Sequence, residues 1–203
     1  MKKFLLVFFS LFLISCQKKY EYDLFFQTIP VRTLENQRFF LTQIREPVLI
    51  LNFYSPTCGP CIEELPAIKL IYEQAREFGF SMYLAVEPSI ERNVPFVPPE
   101  FENRPFDEES FLFLQKVLKE DQKKRNIPIP MIIMEPPFRI DVDQIITGTP
   151  ETLIFTTNPL RLRYNFVGPI TTEKEHQRIQ QNSRFRFFLE LLQNLNTNLK
   201  TSS

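Results

Sequence analysis

Scarcity bounds what this 203-residue chain can be. It has three cysteines and one histidine, too few for a scaffold stapled by several disulfides. It has no net charge, with 24 Lys and Arg against 24 Asp and Glu. A phosphate backbone demands a clustered excess of Lys and Arg, so nucleic acid is not expected as a partner. It also lacks an apolar run long enough to cross a bilayer. The stretch from Phe4 to Ile14 covers 11 residues, where a spanning helix takes about 17 to 25. No internal repeat is visible.

What is present fits one domain. Hydrophobic residues make up 43% of the chain and aromatic residues 14%, enough for one good core but hardly for two. Lys2 and Lys3 followed by the apolar stretch have the parts of an export signal. That stretch ends in Leu13-Ile14-Ser15-Cys16, which resembles the bacterial lipobox, whose cysteine is acylated and becomes the first residue. The expectation is a lipoprotein signal peptide at 1–15, a lipidated tether at 16–22 attached through Cys16, and one domain at 23–203. Without Lys2 and Lys3 the mature chain holds 22 basic and 24 acidic residues, and it keeps two cysteines, which read better as chemistry than as scaffolding.

Within the domain, Val48 to Tyr54 is a nearly continuous apolar run, the pattern of a strand covered on both faces. Leu65, Ile68, Tyr72 and Ala75 recur at helical spacing, which predicts a helix from about Cys61 to Phe78 closed by Gly79. Ser81 to Val86 reads as a second buried strand, so residues 48–86 form a strand-helix-strand unit and the class is α/β. The segment from Glu87 to Pro105 carries five prolines and reads as a long inserted loop. A helix is predicted over Asp107 to Asn126, with acidic residues at its start and Lys123, Lys124 and Arg125 at its end as a solvated terminus. Strands follow at Met131–Met134, Thr152–Phe155 and Arg161–Val167, the last two joined by a turn through Asn158-Pro159. One helix is expected from Glu173 to about Leu199, and a strand or hairpin within 23–46.

The chemistry is expected at Cys58-Gly59-Pro60-Cys61, between the central strand and the first helix. Two cysteines three apart in a first helical turn face one side and can close a small disulfide, while unpaired N–H groups and the helix dipole favour a thiolate. Pro60 costs little there, because a first-turn N–H has no intrahelical partner. Cys58 is then the attacking sulfur, and Cys61, deeper in the helix, resolves the mixed disulfide. A zinc site would need two further ligands, and only His176 remains, in a polar segment that reads as a helix start. A purely structural bridge is the other reading, although so short a loop removes little unfolded-state entropy.

These residues resemble the thioredoxin-like oxidoreductases, and within them the membrane-tethered TlpA/ResA-type proteins of bacterial envelopes. The resemblance rests on Leu51-Asn52-Phe53-Tyr54-Ser55-Pro56-Thr57-Cys58-Gly59-Pro60-Cys61, on Glu64-Leu65-Pro66, and on Gly148-Thr149-Pro150-Glu151-Thr152-Leu153-Ile154-Phe155. It implies a thioredoxin-like fold with a central mixed sheet flanked by helices. It also implies a cis peptide bond before Pro150 beside the redox pair, and a substrate-facing surface made of Thr149, Pro150, Gly59 and Pro60. Pro66 matches the proline of the first helix, and Gly168 the glycine after the last strand. The chain departs from the family at Thr57, where many members have tryptophan. It departs from cytoplasmic thioredoxins at Asn52, where those carry a buried aspartate, which leaves the proton acceptor unassigned. Its proline-rich loop is also longer than usual.

The implied activity is dithiol-disulfide exchange without a bound cofactor. The implied partners are cysteines of exported proteins, apocytochromes among them, and an upstream redox protein, met at the periplasmic side of the cell envelope. The competing reading is a copper-binding thioredoxin-like chaperone that uses Cys58 and Cys61 as thiolate ligands. A peroxidase-like member is a third.

Overall fold

A computed structural model describes residues 23–141 and 145–201. The signal peptide, Cys16 and the tether expected at 1–22 lie outside the described residues.

In chain order the strands are β1 (Pro30–Thr33), β2 (Arg38–Phe40), β3 (Val48–Phe53), β4 (Ser81–Val86), β5 (Met131–Met134), β6 (Glu151–Thr156) and β7 (Arg161–Val167). The helices are α1 (Gly59–Glu77), α2 (Ile90–Asn93), α3 (Glu108–Lys124), α4 (His176–Gln181) and α5 (Ser183–Thr201). The seven strands make one mixed sheet in the order β2-β1-β5-β4-β3-β6-β7, with β3, β4 and β5 parallel and the other pairings antiparallel.

All six residues of β3 are buried. Because successive side chains on a strand point to opposite faces, Val48 and Ile50 enter one core and Leu49, Leu51 and Phe53 the other. The first core takes the apolar stripes of α1, α3 and α5, including Ile68, Leu114 and Phe188. The second is closed by the helical residues 23–28, by a 3-10 turn at Leu41–Gln43 and by the connection after β5, through Phe26, Leu41 and Phe138. The apolar run was legible because both faces had to be covered.

Two expectations are corrected. The segment from Glu87 to Pro105 is not a structureless loop. It contains α2, capped by Ser89, whose Oγ accepts the Arg92 N–H, and a 3-10 turn at Pro99–Phe101. Ile90, Val94 and Phe101 bury themselves in the first core, and the Phe101 ring lies 4.6 Å from that of Phe113. The prolines hid these apolar anchors. The single helix expected from Glu173 to Leu199 is two, broken at Asn182, whose ψ of 127° is extended. The Asn182 Oδ1 then accepts the N–H groups of Arg184 at 3.0 Å and Phe185 at 3.1 Å, so one residue stops α4 and caps α5.

Replacing Asn182 with alanine should remove that cap and destabilise the domain by about 1 kcal/mol. A lower midpoint in urea with an unchanged slope would report it, and an unchanged midpoint would mean that the break is set by the backbone alone.

Candidate active site

β3 runs toward the same end of the sheet from which β6 departs. Their register pairs Phe53 with Glu151 and Asn52 with Thr152, so the residues just after β3 and those just before β6 meet at one sheet end. From β3 the chain passes Ser55 and Thr57 to Cys58; into β6 it comes through Thr149 and Pro150, joined by a cis peptide bond. Cys58 and Thr149 line one cavity of about 250 Å³.

Cys58 is the N-cap of α1. Its Sγ accepts the Cys61 N–H at 3.1 Å, one of the first-turn donors with no partner inside the helix. Cys58 and Cys61 form a disulfide, with Sγ atoms 2.07 Å apart. The helix therefore begins at Gly59 rather than at Cys61, because the cysteine side chain does the capping. The two sulfurs differ in access: Cys61 is buried and Cys58 half-buried, while Thr57, Gly59 and Pro60 are exposed. Ser55 and Thr57 fasten this turn to α2, both hydroxyls lying within hydrogen-bond distance of the Arg92 carbonyl, at 2.7 and 2.5 Å.

One turn along α1 from Cys61 sits a buried polar node. Glu64 follows Cys61 by three residues, on the same face of α1 one turn along, and only 1% of it is exposed. Its Oε1 accepts from Asn52 Nδ2 at 2.8 Å, and its Oε2 accepts from the Ile170 N–H at 2.9 Å. Asn52 Nδ2 also donates to Thr152 Oγ1 at 2.9 Å. The node thus joins β3, α1, β6 and the segment after β7. Burial pushes the Glu64 carboxyl up to about 7, against the opposing pull of these two donors and of the Arg184 charge. A carboxyl poised near neutral pH, one helical turn along from Cys61, has the pKa of a group that can take or return a proton.

No protein-family model matches the chain, and a search of curated proteins finds no match. Among solved structures, a domain of a possible thiol-disulfide isomerase from Cytophaga hutchinsonii aligns with a TM-score of 0.52. The two share 14% identity, and the alignment covers 84% of this chain and 90% of that one. The fold is thioredoxin-like. Looser alignments include a thiol:disulfide interchange protein of the thioredoxin family from Chlorobium tepidum, with TM-score 0.47, 18% identity, and 75% of this chain against 91% of that one. Another is a thiol:disulfide interchange protein from Bacteroides sp., with TM-score 0.48, 12% identity, and coverage of 75% and 84%.

In this thioredoxin-like frame, the residues singled out from sequence, Cys58, Gly59, Pro60, Cys61, Thr149 and Pro150, fall at one end of the sheet. His176 is exposed at the start of α4. Among the described residues no group of three or more His, Cys, Asp or Glu side chains could hold a metal ion. Glu64 is the functional candidate that sequence reasoning passed over, having been noted only as part of a motif. Its signal was a carboxylate at helical spacing on the apolar face that carries Leu65 and Ile68.

The Glu64 carboxyl carries a sign for stability. Its value is raised in the folded state above the ordinary 4.5 to about 7, so its contribution is fully present below about pH 4.5 and is lost as pH rises through 7. Relative to a Glu64→Gln variant, the oxidised wild type should lose about 2 kcal/mol between pH 5 and pH 8. Parallel urea titrations of the two proteins read this directly; equal pH dependences would mean that the carboxyl titrates as it does in water.

Proposed function

We propose that the chain is a thiol-disulfide oxidoreductase that exchanges disulfides with cysteines of exported proteins. The observation that carries this reading is the closed Cys58–Cys61 pair at the start of α1, with one sulfur reachable and the other sealed. Reduction of a substrate proceeds in two displacements. The Cys58 thiolate attacks one substrate sulfur, forming a Cys58–substrate disulfide and expelling the other substrate sulfur as thiolate. Cys61 gives up its proton and attacks Cys58 Sγ, which closes the protein disulfide and releases the second substrate thiolate. Two electrons pass from the protein dithiol to the substrate disulfide, and oxidation of a substrate dithiol runs the same steps backward. An upstream redox protein of the same dithiol-disulfide chemistry resets the pair.

Three features support the roles within this scheme. The Cys61 N–H directed at Cys58 Sγ and the dipole of α1 favour the anion at Cys58 in the reduced form. Glu64, near-neutral in pKa, is the group to accept the Cys61 proton during resolution. Thr149, Pro150, Gly59 and Pro60 are assigned the substrate-facing site: Gly59 and Pro60 are exposed next to Cys58, Thr149 lines its cavity, and Pro150 is buried behind Thr149. The lipobox-like Leu13-Ile14-Ser15-Cys16 supports a lipid-anchored, periplasm-facing protein of the cell envelope, where apocytochromes are among the candidate substrates.

Replacing Cys61 with serine should let Cys58 accumulate as mixed disulfides with discrete partner proteins in cells, visible as bands that collapse on reduction. The Cys58→Ser variant should give none. A Cys61→Ser protein that forms no adducts while remaining folded overturns the proposal.

A further inference from the structure

The cavity beside Cys58 has a polar wall that the exchange chemistry does not use. Glu87, Glu91, Arg92 and Asn93 line it together with Cys58 and Thr149. Asn93 is 1% exposed. Its Nδ2 donates to the carbonyls of Glu87 at 2.9 Å and Ser89 at 2.6 Å. Two acceptors on one side fix the orientation of the amide, so the oxygen is its other end. That oxygen, Oδ1, is buried without a hydrogen-bond partner among the described residues. Unsatisfied buried acceptors are rare and call for a reason.

Glu87 points to the same need. Its Oε1 accepts the Ile140 N–H at 3.0 Å. Its Oε2 lies 3.2 Å from Arg92 Nε, close enough for an ion pair, yet it makes no aligned hydrogen bond. The carboxylate is buried while the Arg92 side chain is 56% exposed, so the partner is one that an incoming cation could replace at little cost. Among the described residues, the charged side chains lining this cavity are Glu87 and Glu91 against Arg92, while Asp141 and Arg139 act on Glu87 with opposite signs. Burial also pushes the Glu87 carboxyl above the usual carboxylate range, as expected of a charge short of partners.

We propose that this cavity is a specificity subsite that takes a Lys or Arg side chain lying next to the reactive cysteine of the substrate. By displacing the exposed Arg92 side chain, the incoming group brings N–H donors and positive charge to the wall that Glu87 and Asn93 line. The subsite belongs to the same sulfur centre as the exchange reaction and rests on that reading. It is tied to the sulfur through the hydroxyls of Ser55 and Thr57, which reach the Arg92 carbonyl, so α2 cannot shift without moving the turn that carries Cys58.

The test uses the reduced full-length protein with 2-hydroxyethyl disulfide and with three disulfide-bonded peptides that differ only in the residue beside the cysteine: lysine, alanine or glutamate. Wild type should react with the lysine peptide about tenfold faster in kcat/KM than with the glutamate peptide, with alanine between them. Asn93→Leu and Glu87→Gln should bring that ratio toward one. Because both sites are buried, the exposed Glu91→Gln provides a second reading and should lower the ratio without unfolding. Reaction with 2-hydroxyethyl disulfide but no discrimination among the peptides, or a preference for glutamate, overturns the subsite alone. No reaction of wild type with 2-hydroxyethyl disulfide overturns the oxidoreductase reading beneath it.

Discussion

Complete burial of β3 on both faces governs the rest of the molecule. A strand that is covered everywhere can offer its chain to solvent only where it leaves the sheet, and β3 leaves beside the start of β6. The two cores, one lined by helices and the other by the N-terminal residues and the connection after β5, hold that exit in place. At the exit the chain must turn from extended to helical backbone, and the first turn of α1 brings N–H groups that no helix can satisfy internally. Cys58 takes one of them. The chemical character of the site follows from this geometry: one sulfur at the mouth of the helix and one under it.

The polar node around Glu64 has its own logic. Asn52 stands on β3 in a position whose neighbours are apolar, and its amide has to be satisfied in the dry interior. It finds Glu64 and Thr152, and Glu64 in turn finds the Ile170 N–H. Three segments meet at that carboxyl, and Asn52 brings in β6 as a fourth. That carboxyl has two donors but little water, so its proton is held more tightly than in solution and can be exchanged near neutral pH. The side chain that ties these segments together is also the one proposed to accept the Cys61 proton.

Much of this could be read from residues, and the reasons are specific. The strand-helix-strand unit at 48–86 announced itself because Val48 to Phe53 and Ser81 to Val86 are apolar on both faces and the helix between them keeps helical spacing. The redox pair was legible because two cysteines three apart at a helix start have few other uses. Three things were not. Asn182 divides the last helix through a single side-chain cap, while the apolar stripe of Phe185, Phe188 and Leu192 continues as though nothing had happened. Prolines masked α2, whose anchors Ile90 and Val94 are too few to show a period. Glu64 looked like an ordinary helix carboxylate until the fold turned it inward against Asn52 and Ile170, and Asn93 and Glu87 came to line the cavity beside Cys58 only when α2 was folded against the turn that holds it.

The central claim is that Cys58 and Cys61 are chemically unequal because of where they sit on α1. Alkylation of the reduced protein with iodoacetamide across a pH series, with each cysteine followed by peptide mass spectrometry, tests it most directly. The account predicts that Cys58 is modified first and reaches its half-maximal rate well below the pH expected for a free cysteine, about 8.5, while Cys61 stays protected until the domain is unfolded. Equal modification of both sulfurs, or a Cys58 that reacts only as an ordinary thiol does, would contradict it.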